Sequence, residues 1–174
     1  VSRRLHYESK QVVTPLGHTV VPCISDSLVL ATVLRAGLAL HQGFLDMFDK
    51  AECAFLSAYR VLERDAKGEE QLRIVSEYLA APGLEGKTLL LVDPMLASGM
   101  SLEAAWQALL THGKPAQVHL CCVIAAPEGV AYLQEHLPED TVLWCAAIDE
   151  KLNEHKYIVP GLGDAGDLCF GDKL

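Results

Sequence analysis

The chain lacks any apolar run of membrane-spanning length, so nothing in it reads as a transmembrane helix. It also lacks a basic excess. The formal net charge is −9, which argues against broad electrostatic binding to nucleic acid or to an anionic membrane. No C-x-x-C pair and no H-E-x-x-H spacing occurs among the 6 cysteines and 7 histidines, so a structural transition-metal site is not expected. Cys121, Cys122 and Cys145 lie inside apolar runs and read as reduced, small core residues, which points to the cytoplasm. The opening VSRRLHYESK has two arginines with no apolar core behind them and does not read as a signal peptide. It begins on Val1 rather than Met, which points to a start further upstream. No internal repeat and no low-complexity segment is apparent.

What is present is a soluble globular composition: 51% of 174 residues are apolar, enough for one sizeable core. Apolar runs alternate with amphipathic stretches. Leu28–Leu34, Ala54–Tyr59, Thr88–Val92, Val118–Ala126 and Thr141–Ile148 read as strands. Most show no polar alternation, which suits strands covered on both faces. Helical patterns fill Leu38–Met47, Leu102–His112 and Gly129–His136. In the second, Leu102, Trp106, Leu109 and Leu110 share one face, with Ser101 as an N-cap and Gly113 as a stop. The charged piece Glu63–Gln71 reads as an exposed loop. Strand–helix–strand repetition predicts an α/β fold, a mostly parallel twisted sheet flanked by helices, in one domain over residues 1–174.

The stretch KTLLLVDPMLASGMSLEAAW carries chemistry. Asp93 sits at the carboxyl end of a strand, where open parallel sheets bind ligands. Pro94 offers no N–H and stops the strand. Ala97, Ser98, Gly99 and Ser101 are small enough for backbone N–H groups to converge before a helix N-terminus, an arrangement that binds phosphate. Asp93 would repel a phosphate and better accepts hydrogen bonds from sugar hydroxyls. Together these features suggest a ribose 5-phosphate cradle. An ordinary strand, turn and capped helix would use the same residue types.

VDPMLASGMS resembles the phosphoribosyl diphosphate loop of uracil phosphoribosyltransferases, in which Met-Leu after Asp-Pro is specific to that group. Three further stretches match in order: VLRAGL (Val33–Leu38), VIAAPEG (Val123–Gly129) and IDEKLNEHKYIVPGLGDAGDLCFG (Ile148–Gly171). The resemblance runs from Leu28 to the end. It implies a type I phosphoribosyltransferase fold with a C-terminal base-binding segment. The implied reaction joins uracil to 5-phosphoribosyl 1-diphosphate, giving UMP and diphosphate, with Mg²⁺ carried on the diphosphate. It implies a cytoplasmic homodimer or higher homo-oligomer acting on small molecules.

The resemblance also assigns residues. Arg35 and Arg60 would contact phosphoribosyl diphosphate, as would Asp93, Pro94, Met95, Leu96, Ala97, Ser98, Gly99, Met100, Ser101 and Asp164. Ile158, Gly163, Asp164 and Ala165 would contact uracil. Asp93, Asp164 and Arg35 would carry catalysis. Taken alone, Arg35 at a strand end suits a surface charge, and the glycines of YIVPGLGDAGD suit a hairpin-like turn. Two positions depart from the family pattern: Ser98 stands for Thr and keeps the hydroxyl, while Met100 stands for a second Gly. Met at a positive φ would be costly, and a Met filling the cradle would favour a rival reading, a weakly or non-catalytic regulatory relative.

Overall fold

The computed structural model describes residues 1–57 and 78–172 in full and, between them, the backbone of strands 59–64 and 70–75. After a 3₁₀ turn at Ser2–Arg4, β1 (Tyr7–Thr14) and β2 (Gly17–Ile24) form an antiparallel arm. The core begins with β3 (Leu28–Leu34), α1 (Gly37–Met47) and β4 (Glu52–Ser57). A second antiparallel pair follows, β5 (Tyr59–Arg64) and β6 (Glu70–Val75), then the short β7 (Leu79–Ala80). The chain returns through β8 (Thr88–Val92), β9 (Met95–Leu96), α2 (Met100–Leu109), β10 (Gln117–Ala125), α3 (Pro127–His136) and β11 (Val142–Ile148). It ends with β12 (Lys151–Leu152), β13 (Ile158–Val159) and α4 (Ala165–Phe170).

The main sheet runs β11-β10-β8-β3-β4-β7, parallel except where β4 meets β7, with β9 added beside β10. The expected α/β architecture is therefore present. Its uniform hydrophobicity has the predicted cause. Val29, Ala31, Val33, Leu89 and Leu91 face one cluster with Leu102, Trp106 and Leu109 of α2 and Leu133 of α3. Leu30, Leu90, Val92 and Cys121 face the other, against Leu40, Phe44 and Leu45 of α1. Alternate residues enter different cores, so both faces need apolar side chains. Cys121 and Cys122 are buried, free thiols.

Three local expectations need correction. Glu63–Gln71 was expected as a loop, but β5 extends to Arg64 and β6 begins at Glu70, leaving only 65–69 outside the described residues. An antiparallel ladder satisfies its own backbone, so charge alone does not argue against a strand. The arm before Leu28 had no predicted elements. It is exposed along most of its length, so no buried stripe announced it. Ser101 is not the cap of α2. Gly99 takes the N-cap position and the helix starts at Met100, ahead of the expected first turn.

Candidate active site

From β3 the chain passes through α1 to β4 on one side, and after β7 it returns to β8 on the other side of β3. That reversal opens a crevice at the carboxyl ends of β3 and β8, because α1 packs on one face of the sheet and α2 on the other. Thr32 and Val92 are in register there. Arg35 follows directly on β3 and Asp93 on β8.

The loop after β8 is held at both ends. The Asp93 N–H donates to the Cys121 carbonyl (3.1 Å), and the Asp93 Oδ1 accepts from the Met95 N–H (3.2 Å). β9 then lies along β10, and the Ala126 N–H donates to the Leu96 carbonyl (2.8 Å). Gly99 turns the chain with φ +84°, and a Cβ there would stand 2.9 Å from Tyr132 and 3.1 Å from the Gly129 carbonyl. Only glycine meets both conditions. The result is a hollow of about 40 Å³ lined by Asp93, Met95, Leu96, Ala97, Ser98, Gly99, Ser101 and Leu102, at the N-terminus of α2. The Ser98 Oγ is buried with no hydrogen-bond partner. An unpartnered hydroxyl beside a positive helix end is a donor arrangement of the kind that suits an anion.

Asp93 keeps part of its surface open to this hollow and is otherwise enclosed by protein. Desolvation pushes its carboxyl up to about 6, only partly offset by the Met95 N–H. Met100 answers differently from either concern raised by its identity. It is the first residue of α2, and the non-glycine residue with positive φ among those described is Lys156. Met100 is outside the lining of the hollow, so its side chain does not fill the cradle.

The third motif proves to be a mechanical support, a role sequence reasoning missed. A Cβ on Gly129 would stand 2.1 Å from the Ala97 carbonyl, so the first turn of α3 presses directly on the loop backbone. Glu128 Oε1 accepts the Leu152 N–H (3.0 Å), tying α3 to the β12–β13 hairpin. The glycine of Pro-Glu-Gly, immediately inside a helix start, was the signal. Only the packing could say what it touched.

The fourth motif runs from the end of β11 back to the end of β3. The Asp149 N–H donates to the Ala125 carbonyl (2.8 Å), and its Oδ2 accepts the Gly161 N–H (3.0 Å). Ile158 is buried in β13, and Gly163 lies in the turn that follows. Asp164 caps α4: its Oδ1 accepts from Gly166 N–H (2.8 Å) and Asp167 N–H (3.1 Å). Ala165 opens the helix and is buried. Arg35 then donates from Nη2 to Asp167 Oδ1 (2.6 Å) and from Nη1 to the Gly171 carbonyl (3.2 Å). Arg35 and the Asp164–Ala165 segment are thus brought together, through a residue, Asp167, that sequence reasoning did not single out. Arg60 lies on β5, and its side chain falls outside the described residues.

All four motifs converge on one edge of the sheet. A family model described as uracil phosphoribosyltransferase matches residues 1–172. The chain belongs to the uracil phosphoribosyltransferase family. The match extends the resemblance upstream of Leu28 to include the arm. Relatives with that name include one from Porphyromonas gingivalis, 47% identical over 174 residues, covering 100% of this chain and 79% of the relative. Another, from Myxococcus xanthus, is 40% identical over 173 residues, covering 98% and 78%. A solved protein of Aquifex aeolicus superposes with a TM-score of 0.83 at 33% identity, over 99% of this chain and 79% of its own. A purine phosphoribosyltransferase of Pyrococcus horikoshii (TM-score 0.51, 16% identity, 72% of this chain and 79% of its own) shares the fold alone, the phosphoribosyltransferase α/β fold.

Proposed function

We propose that this chain, read as one phosphoribosyltransferase domain over residues 1–174, transfers the 5-phosphoribosyl group from 5-phosphoribosyl 1-diphosphate to uracil, giving UMP and diphosphate. The observation that carries the reading is the hollow at the start of α2, with the unpartnered Ser98 hydroxyl inside it and Asp93 on its rim. The ribose 5-phosphate would sit against Ala97–Ser101, held by converging N–H groups and the Ser98 and Ser101 hydroxyls. Pro94, Met95 and Leu96 shape the strand that carries this loop, and Met100 contributes backbone only. Asp93 would accept the sugar hydroxyls and, once ionised, stabilise positive charge developing at C1 as the bond to diphosphate breaks. Arg35, with Arg60 as a second cation, would bind the departing diphosphate.

Mg²⁺ is expected to arrive on the diphosphate and to neutralise part of its charge. The hydroxyls and N–H groups of the hollow form an anion's donor set. Among the described residues no group of three or more His, Cys, Asp or Glu gathers around one point. Mg²⁺ would need few protein ligands here, because it commonly keeps waters and binds substrate phosphate oxygens.

Uracil would be read by the segment carrying Ile158, Gly163, Asp164 and Ala165. Its N3–H donor between two carbonyl acceptors suits an exposed backbone edge, and cytosine, with an acceptor at N3, does not. The N1 proton can pass to water or diphosphate, with Asp164 as the protein candidate. With Met100 outside the hollow, the non-catalytic alternative loses the support that Met100 lent it.

Val13, Leu16 and Val20 are exposed on the arm, and a homodimer or higher homo-oligomer would cover them. No helix among the described residues is long and apolar enough to cross a membrane, and we place the enzyme in the cytoplasm on its reduced cysteines and small-molecule substrates. Steady-state formation of UMP from uracil and phosphoribosyl diphosphate tests the reading, with cytosine and adenine as controls. Turnover with uracil alone is expected. No turnover with any base would refute it.

A further inference from the structure

Arg35 leaves β3 at the crevice, and its side chain is not fixed by the sheet. A free arginine side chain loses rotamer entropy when it is fixed for a ligand. Here it is held before any ligand arrives, by residues far along the chain. Asp167 Oδ1 takes one N–H at 2.6 Å and the Gly171 carbonyl another at 3.2 Å. A guanidinium has five N–H groups, so three remain, enough for a two-point grip on a phosphate.

We propose that Asp167 is the positioning residue for Arg35, holding the guanidinium in the orientation that receives the diphosphate. The inference rests on the transferase reading above. Asp167 is itself fixed in the first turn of α4, because its N–H donates to the capping Asp164 carboxylate (3.1 Å). Gly166 packs beside the pair: a Cβ there would crowd Asp164 Oδ1 at 3.1 Å and stand at ordinary contact distance from Arg35 Nη2, 3.7 Å. Magnitude supports orientation over stability as the role. The two side chains are 37% and 31% exposed, and ion pairs in that setting contribute little to folding.

The test is a double-mutant cycle on the full chain, read by steady-state kinetics and by calorimetric titration with phosphoribosyl diphosphate. D167A should raise KM for phosphoribosyl diphosphate about tenfold and leave KM for uracil within about threefold. D167E should recover part of the loss. D167N, which keeps an acceptor oxygen without the charge, should fall between. In an R35A background, or R35K if R35A binds too weakly to titrate, D167A should cost less than about threefold. Melting curves of each variant report whether α4 remains folded. A D167A loss below about threefold, or one of equal size in both backgrounds, overturns the positioning role. Failure of the unmodified chain to bind phosphoribosyl diphosphate or form UMP would instead overturn the transferase reading on which it rests.

Discussion

Asp93→Asn should make this protein more stable at neutral pH and nearly inactive. Burial raises the Asp93 carboxyl from its ordinary 3.8 to about 6. A group raised in this way binds its proton more tightly in the folded state than in the unfolded state. Stability is therefore lost as pH climbs from about 3.8 to about 6 and stays lost above it. The cost at pH 7 is about 3 kcal/mol, from 1.36 kcal/mol per pH unit. Asparagine keeps an oxygen for the Met95 N–H and carries no charge to desolvate. Its amide N–H groups bring a burial penalty of about 1–3 kcal/mol, but that penalty does not change with pH. The diagnostic quantity is therefore how the difference in Tm between the two proteins varies with pH. It should open between pH 4 and 6 and level off by 7, with a span of about 6–12 °C for a chain of this size. Other carboxylates titrate alike in both proteins and cancel. In the unmodified enzyme kcat/KM should rise with pH through about 6 as Asp93 ionises, and the variant should lose both that limb and most turnover. A Tm difference that is flat from pH 4 to 7 would refute the desolvation argument.

Arg35→Lys keeps the charge but loses the planar fork, so KM for phosphoribosyl diphosphate should rise at least about tenfold, or about 1.4 kcal/mol, in steady-state kinetics. Gly129→Ala would place a methyl 2.1 Å from the Ala97 carbonyl, a contact between backbones that no side-chain rotation relieves. It should cost about 1–3 kcal/mol in urea unfolding and weaken binding of the ribose phosphate as the loop shifts. Met100→Gly should leave that affinity unchanged or improved, because the side chain stands outside the hollow, while costing about 0.5–1 kcal/mol of stability at a helical position. An affinity loss beyond about tenfold would show that Met100 shapes the cradle after all.

The sequence by itself determined five strands of the main sheet and pointed to the candidate site at their carboxyl ends. β3, β8 and β10 are legible because a strand covered on both faces must be apolar throughout, and Asp93-Pro94 marks where β8 must end. The small residues after it suggested an anion loop for local reasons, the need for converging N–H groups before a helix. The tertiary structure decided what depended on partners distant in sequence. Met100 was ambiguous until Gly99 was found to take the positive φ and Met100 to begin the helix. Gly129 was a motif letter until α3 was seated on the Ala97 carbonyl. Asp167 carried no local signal, because its role is defined by Arg35, 132 residues away. The arm was missed because a ribbon exposed over most of its surface has no buried stripe to impose a pattern. Local backbone demands and burial leave a periodic trace in the residues themselves. A contact between two loops leaves none, since either loop alone would tolerate many other side chains there.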